Sequence, residues 1–333
     1  MPSIFTPLQK GILTCLGHQK PKSAETLANK LDSTQDFINR AIDDLIKAQI
    51  PIRKVAPQTY ALEIHYQGFS AVVLKNKLKN PQWTVFCFDS IDSTNLFLKN
   101  NSIDKPPILC QSEMQTAGRG RLGRVWQSPF GTNLYFSIKW RAFTTPRQLS
   151  GLSLVIGLSL TQAIEKQLGP SSLKVKWPND IWCDGKKVAG ILIEIANIEA
   201  LYCDLIIGIG VNVNSNTCDL QQIGRPCTSL SEIYGRSIDR LELLAEMIKS
   251  IENDMLRFLE HGFDAFSPQW KQKDVLQDQQ VIAIQGTNPI EGCVQGIGPQ
   301  GQLILKLKDK NVIYLDAGEV TLKGLAEKPN PLS

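Results

Sequence analysis

Hydrophobic positions follow three regimes along the chain. Over residues 4–16, Ile4, Leu8, Ile12, Leu13 and Leu16 recur at near-helical spacing. Ser23 stands at an N-cap position ahead of Leu27, Ala28 and Leu31. Asp32-Ser33-Thr34 marks a turn, after which Phe37, Ile38, Ala41, Ile42, Leu45 and Ile46 predict one apolar helix face. Two short helices across a tight turn make a helix-turn-helix. Segments 52–55 and 60–64, parted by Ala56-Pro57-Gln58-Thr59, predict a hairpin, or wing. Residues 1–66 are therefore expected to form a winged helix-turn-helix domain.

Residues 67–272 alternate between the two periodicities, the pattern of a mixed α/β domain. Strands are predicted at 83–89, 108–111 and 134–140, with a helix over 96–100 that starts near Asp92-Ser93-Thr94-Asn95. A long buried helix is predicted over 149–168. Strands at 174–177 and 181–183 flank a Pro-Asn-Asp turn, and Asp184-Gly185 reads as a two-residue hairpin. Apolar strands at 188–195 and 201–209 and an amphipathic helix at 241–260 complete this part. Residues 273–326 hold four short strands (280–284, 292–297, 303–307 and 312–315) with Gly turns, as in a small SH3-like β-barrel. Residues 327–333 read as a loose tail.

Composition narrows the class. A length of 333 residues with 42% apolar side chains suits two or three domains with cores of their own. The net charge of +4 is too mild to establish nucleic-acid binding by itself. Eight cysteines without a C-x-x-C pair suggest neither a zinc site nor a disulfide framework. No apolar run approaches the roughly 18 residues of a membrane span, and the amino terminus lacks the apolar core of a signal peptide. The expectation is a cytoplasmic protein with no membrane partner and no tightly bound metal.

The chemistry concentrates in Gly118-Arg119-Gly120-Arg121-Leu122-Gly123-Arg124, with three arginines and three glycines in seven residues. Glycine lets the backbone approach a ligand, and the arginine fork matches phosphate or carboxylate. A flexible loop of this kind suits a polyanion such as ATP; a surface turn and a nucleic-acid contact are the alternative readings of the loop taken alone. Four further stretches accompany it: Asp92-Ser93-Thr94-Asn95, Gln115-Thr116-Ala117, Lys176-Trp177-Pro178-Asn179-Asp180 with Lys187-Val188-Ala189-Gly190, and Gly208-Ile209-Gly210-Val211-Asn212.

In order and spacing, these motifs resemble the biotin protein ligases, specifically their bifunctional bacterial ligase–repressor form. The resemblance runs over about residues 85–215 and extends to the flanking domains in layout more than in residues. It implies an α/β (α+β) multidomain protein with a class II synthetase-like mixed-sheet ligase domain at its centre. It implies activation of biotin by ATP with Mg²⁺ to biotinyl-5′-adenylate, then transfer to a lysine of the biotin carboxyl carrier protein of acetyl-CoA carboxylase. Biotin contacts are implied for Ser93, Thr94, Asn95, Gln115, Arg119, Gly120, Arg121 and Lys187. Adenylate contacts are implied for Arg121, Arg124, Trp126, Lys176, Asn179, Asp180 and Asn212, and catalytic roles for Lys187, Arg121 and Asp180. Helix capping equally accounts for Ser93 to Asn95, and a turn equally accounts for Asn179 and Asp180. Arg225 stands in the loop where related bacterial proteins carry a tryptophan over the adenine.

The resemblance further implies operator DNA of the biotin operon as a partner and an adenylate-bound homodimer. Ser23, Thr34, Gln35, Asn39, Arg40, Arg53 and Lys54 are the candidate DNA contacts. Asp36, Asp43 and Asp44 on the second helix oppose a phosphate backbone. A monofunctional ligase with a non-DNA-binding head and a lipoate–protein ligase are the alternative readings. A transcription factor that senses a small ligand without catalysis is a third.

Overall fold

The computed structural model of the protein describes residues 5–17, 20–101, 105–216, 226–285, 288–317 and 320–324. The described residues pack into two compact units, one within 1–140, 206–224 and 228–242, the other within 141–205, 225–227 and 243–333.

The first unit opens with helix α1 (Pro7–Leu16), fixed by a capping box. The Thr6 hydroxyl accepts from the Gln9 N–H at 3.2 Å and the Gln9 side chain accepts from the Thr6 N–H at 3.0 Å. A short strand β1 (Lys22–Ser23) leads into α2 (Ala24–Lys30), and α3 (Gln35–Lys47) follows after the turn. Ser23 caps α2 and Thr34 caps α3, each accepting a backbone N–H of the first turn. Strands β2 (Ile52–Ala56) and β3 (Thr59–Leu62) form the hairpin, and the sheet order is β1-β3-β2.

Two residues of α3 depart from expectation. Ile38, Ile42 and Leu45 are fully buried, but Phe37 and Ile46 are 59% and 42% exposed. Each lies roughly 100° round the helix from its buried neighbour, outside a stripe that is only three residues wide. Ile4 lies outside the described residues. The apolar cluster of the head does not end with the head. Met114 and Phe130 belong to it, and from within the head the Phe5 N–H donates to Asp89 Oδ2 at 2.7 Å.

After α4 (Ala71–Leu78), which the periodicity did not predict, come strands β4 (Thr84–Phe88), β5 (Ile108–Ser112) and β6 (Leu134–Ala142), with α5 (Thr94–Asn100) between β4 and β5. Strands β7 (Leu173–Lys176), β8 (Asp180–Cys183), β9 (Lys186–Ile198) and β10 (Cys203–Val211) complete a seven-stranded sheet of order β4-β5-β6-β10-β9-β8-β7. It is mixed: β4 and β5 run parallel, whereas β5–β6, β7–β8 and β8–β9 are antiparallel. Asp184 and Gly185 both take positive φ, 46° and 77°, as the two-residue hairpin requires.

Helix α6 (Leu152–Leu168) starts later than expected because 146–149 form a separate helical turn and Gly151 sits at φ +84°. Its buried polar side chains remain satisfied: the Thr161 hydroxyl donates to the Leu158 carbonyl on its own helix, and Ser159 Oγ lies 2.7 Å from Asp254 Oδ2 and 2.9 Å from the Val155 carbonyl. Helices α7 (Leu230–Tyr234), α8 (Arg240–His261) and α9 (Ser267–Lys273) follow. No described helix is long and apolar enough to cross a membrane.

The carboxyl-terminal part is an antiparallel sheet of five strands, one more than the pattern predicted. They are β11 (Gln280–Gln285), β12 (Asn288–Ile297), β13 (Leu303–Lys306), β14 (Val312–Leu315) and β15 (Val320–Gly324), in the order β14-β13-β12-β11-β15. The added strand, β15, pairs with β11, from Val281 with Gly324 to Gln285 with Val320.

One core residue stands out energetically. Gln111 on β5 is fully buried, and neither its amide nitrogen nor its amide oxygen has a hydrogen-bond partner. Burying an unpaired amide costs roughly 1–3 kcal/mol, so Gln111→Leu is expected to raise stability by about 1–2 kcal/mol. Urea unfolding followed by far-ultraviolet dichroism measures this; an equal or lower midpoint at unchanged slope would show that the amide contributes favourably.

Candidate active site

In the first unit, α5 begins at Ser93, whose hydroxyl accepts from the Leu96 N–H while its own N–H donates to Asp92 Oδ1 at 2.6 Å. Capping is therefore real, but it does not use up the motif. Thr94 donates to Gln115 Oε1 from its N–H at 2.9 Å and has its hydroxyl oxygen 3.1 Å from the same atom. Gln115 Nε2 donates to Ser128 Oγ, and Ser128 Oγ donates to the Trp126 carbonyl, both at 3.1 Å. On the other side, Ser137 Oγ lies 2.7 Å from Thr94 Oγ1 and 2.6 Å from Asn95 Oδ1. Ser93, Thr94, Asn95 and Ser137 are all buried.

Ser128 and Ser137 are the residues that sequence reasoning missed. Ser137 had a signal, since it interrupts an apolar run within the buried strand β6. Ser128 had none, because a serine before a proline reads as an ordinary turn.

The basic loop is a compact hydrogen-bonded turn. The Trp126 N–H donates to the Gly118 carbonyl at 2.9 Å and the Gly120 N–H donates to the Arg124 carbonyl at 2.7 Å, with Arg119 bridged to Val125. Leu122 and Gly123 turn the corner at φ 56° and 71°. Arg119 and Arg124 are exposed at its surface and Arg121 is half-buried.

Glycine is a steric requirement here. A Cβ on Gly208 would sit 2.1 Å from Asn95 Oδ1, and one on Gly210 would sit 2.3 Å from Trp126 Cε2. Two glycines of one strand thus leave room for the two ends of the same polar network. Asn212, at the end of this stretch, is buried; its amide donates to the Thr228 carbonyl and its own carbonyl accepts from the Leu230 N–H.

In the second unit the Lys176–Asp180 segment is held in place. Trp177 is buried and its Nε1 donates to the Gly301 carbonyl at 3.0 Å. Asn179 exchanges hydrogen bonds with Ile191: its amide donates to the Ile191 carbonyl at 2.7 Å and its carbonyl accepts from the Ile191 N–H at 2.9 Å. The Lys176 ammonium lies 3.8 Å over the Trp182 ring. Lys187 pairs with Asp180 at 2.7 Å, both side chains about one-fifth exposed, and its N–H donates to the Pro226 carbonyl. The structure therefore joins Lys187 to Asp180, while Lys176 and Asn179 stabilise the turn beside them. Arg225 lies outside the described residues.

Residues 86–212 match the Biotin/lipoate A/B protein ligase family, and residues 278–323 match the Biotin protein ligase C terminal domain. The bifunctional ligase/repressor BirA of Salmonella typhimurium is 32% identical over 94% of this chain and 96% of its own length. The chain belongs to the biotin protein ligase family. BirA of Escherichia coli is equally similar, at 32% identity over 95% of this chain and 97% of its own. The biotin protein ligase of Aquifex aeolicus, solved in complex with biotin and ATP, superposes with a TM-score of 0.63 at 30% identity, covering 74% of this chain and all of that one. The motif-bearing segments of this biotin protein ligase, from Asp92 to Asn212, fall within the first family match or at its end.

Proposed function

We propose that this chain joins biotin to ATP, forming biotinyl-5′-adenylate and pyrophosphate, and passes the biotinyl group to a lysine of a biotin carboxyl carrier protein. The observation that carries this is the single polar network from Asn95 through Thr94, Gln115 and Ser128 to the Trp126 end of the basic loop. A ureido ring needs fixed donors and acceptors, and Ser93, Thr94, Asn95 and Gln115 supply both kinds. Arg119, Gly120 and Arg121 close over the biotin side, with Arg121, Arg124 and Trp126 on the nucleotide. ATP arrives with Mg²⁺ as its counter-ion.

In the first step a biotin carboxylate oxygen attacks the α-phosphorus and pyrophosphate leaves with the electron pair of the broken P–O bond. Catalysis of such a step is mostly positioning and charge stabilisation. Lys187 is assigned the carboxylate and α-phosphate charge, and Asp180, its ion-pair partner, the orientation of that ammonium. In the second step the neutral amine of the carrier lysine attacks the acyl carbon, the C–O bond to the phosphate breaks, AMP leaves with its electron pair and the amine gives up one proton. Lys176, Asn179 and Asn212 are assigned to shaping the adenylate pocket.

The amino-terminal part, residues 1–66, acts as a winged helix-turn-helix, residues 67–272 as the ligase domain and residues 273–326 as an SH3-like barrel. Gln35 and Arg40 are exposed on α3, and Arg53 and Lys54 are exposed on the wing, as DNA contact requires. The Ser23 and Thr34 hydroxyls cap their own helices, and the Tyr60 hydroxyl donates to Asn39 Oδ1. With adenylate bound, the protein is a homodimeric repressor of the biotin operon. Exposed Phe143, Ile195, Ile198 and Leu201 in the second unit offer an apolar surface for pairing.

ATP–pyrophosphate exchange with biotin and with lipoate side by side tests the reading: exchange with biotin supports it, and exchange with lipoate alone overturns it. Footprinting with and without biotin plus ATP tests the repressor. A protein that exchanges pyrophosphate but protects no DNA would be a ligase with a head of another purpose. Gly210→Ala is expected to displace the Trp126 indole and lower biotin-dependent exchange by at least about tenfold, because the new methyl overlaps the ring. Exchange within twofold of the parent would show that Trp126 moves aside without consequence.

A further inference from the structure

We infer that Ser128 is a positioning residue that transmits biotin recognition to the basic loop. This rests on the ligase reading above. The Gln115 side chain has two ends with separate duties. Its Oε1 faces Thr94, next to the residues assigned to the ureido ring, and its Nε2 donates to Ser128 Oγ. Ser128 has one proton, and it goes to the Trp126 carbonyl. The same peptide segment supplies the Trp126 N–H that closes the loop onto Gly118. Ser128 therefore bonds both to the biotin-facing amide and to the base of the loop.

Its surroundings leave no slack. Ser128 is buried, and a Cβ on Gly118 would lie 2.9 Å from its Oγ, 2.4 Å from the Trp126 carbonyl oxygen and 3.2 Å from Gln115 Nε2. Three groups of the relay converge on the glycine that opens the loop. Ser137 closes the far end. With a single proton it serves either Thr94 Oγ1 or Asn95 Oδ1, so the direction of the hydroxyl bonds is set by whatever the Thr94 and Asn95 side chains meet. A ligand that orients Thr94 thereby orients Gln115, and through Ser128 the loop that must hold the nucleotide. No charge moves along this path, and the Gln115 amide does not turn over, since its Oε1 accepts the Thr94 backbone N–H; only position is passed on.

A purely structural serine would weaken biotin and ATP binding alike. A relay splits them. In the full-length protein, Ser128→Ala is expected to leave biotin affinity, measured without ATP, within about twofold. The same change should raise the KM for ATP and shorten adenylate retention by roughly tenfold each, the size of one lost buried hydrogen bond. Ser128→Thr keeps the hydroxyl and is expected to restore both. Labelled biotin followed through rapid gel filtration gives the retention time. Equal losses in biotin and ATP binding, no loss in either, or failure of Ser128→Thr to rescue would each overturn the relay. Absence of biotin-dependent pyrophosphate exchange in the parent chain would instead overturn the ligase reading itself.

Discussion

Arg240→Leu is expected to destabilise the protein by about 3–5 kcal/mol, the cost of stranding a buried charge. The Arg240 and Glu113 side chains are 5% and 2% exposed and meet at 2.7 Å. Arg240 also donates to the carbonyls of Asn133 and Gln67, and its guanidinium lies 5.0 Å over the Phe69 ring. Glu113 accepts the Phe69 N–H on its other oxygen. One ion pair thus ties the segment that leaves the head to β5 and to the start of α8. Burial pushes the Glu113 carboxyl up and the Arg240 charge only partly offsets it. An acid whose pKa is raised on folding stabilises the folded state less as pH rises through its unfolded value toward its folded one. Without Arg240 the rise is larger, so the loss should be greatest at neutral pH and shrink as the solution is acidified toward the ordinary carboxylate range. Urea titrations at several pH values measure this, with Arg240→Leu/Glu113→Leu as control. The double variant should recover most of the loss, since an apolar pair leaves no charge stranded. A double variant as unstable as the single one would place the energy in packing instead.

Lys187→Ala is expected to slow single-turnover adenylation by roughly 10²–10³, by analogy with the roughly 2.7–4 kcal/mol of one preorganised oxyanion donor. Its effect on biotin affinity should be much smaller, because a cation at the α-phosphate acts most strongly as transition-state charge develops. Asp180→Ala is expected to give a smaller loss of the same kind by releasing the lysine it holds at 2.7 Å. Rapid-quench measurement of adenylate formation separates the two effects. A raised KM for biotin with an unchanged single-turnover rate would make Lys187 a binding residue only.

The chemistry was legible because it is local in sequence. Each motif keeps its residues within a few positions, and it is their joint order and spacing that carries the resemblance. Helix α3, the long helix α6 and the Asp184-Gly185 hairpin followed from periodicity and turn chemistry, both of which act over one or two turns of chain. Even so, α3 shows the limit. Its helical period was right, but the width of its buried stripe depended on what packs against it, and Phe37 and Ile46 stayed outside.

What the amino-acid sequence determined by itself was the order of elements, the motifs and the family they resemble. What only the tertiary structure decided was who meets whom. Arg240 lies 127 residues from Glu113, and Ser137 is 43 and 42 residues from Thr94 and Asn95. It also revealed why Gly208 and Gly210 carry no side chain, since the space is filled by Asn95 and Trp126. The identity of the partner leaves no local trace, even where one residue such as Ser137 stands out, because a buried hydrogen bond or a missing Cβ is selected by the partner across the fold and not by its neighbours along the chain.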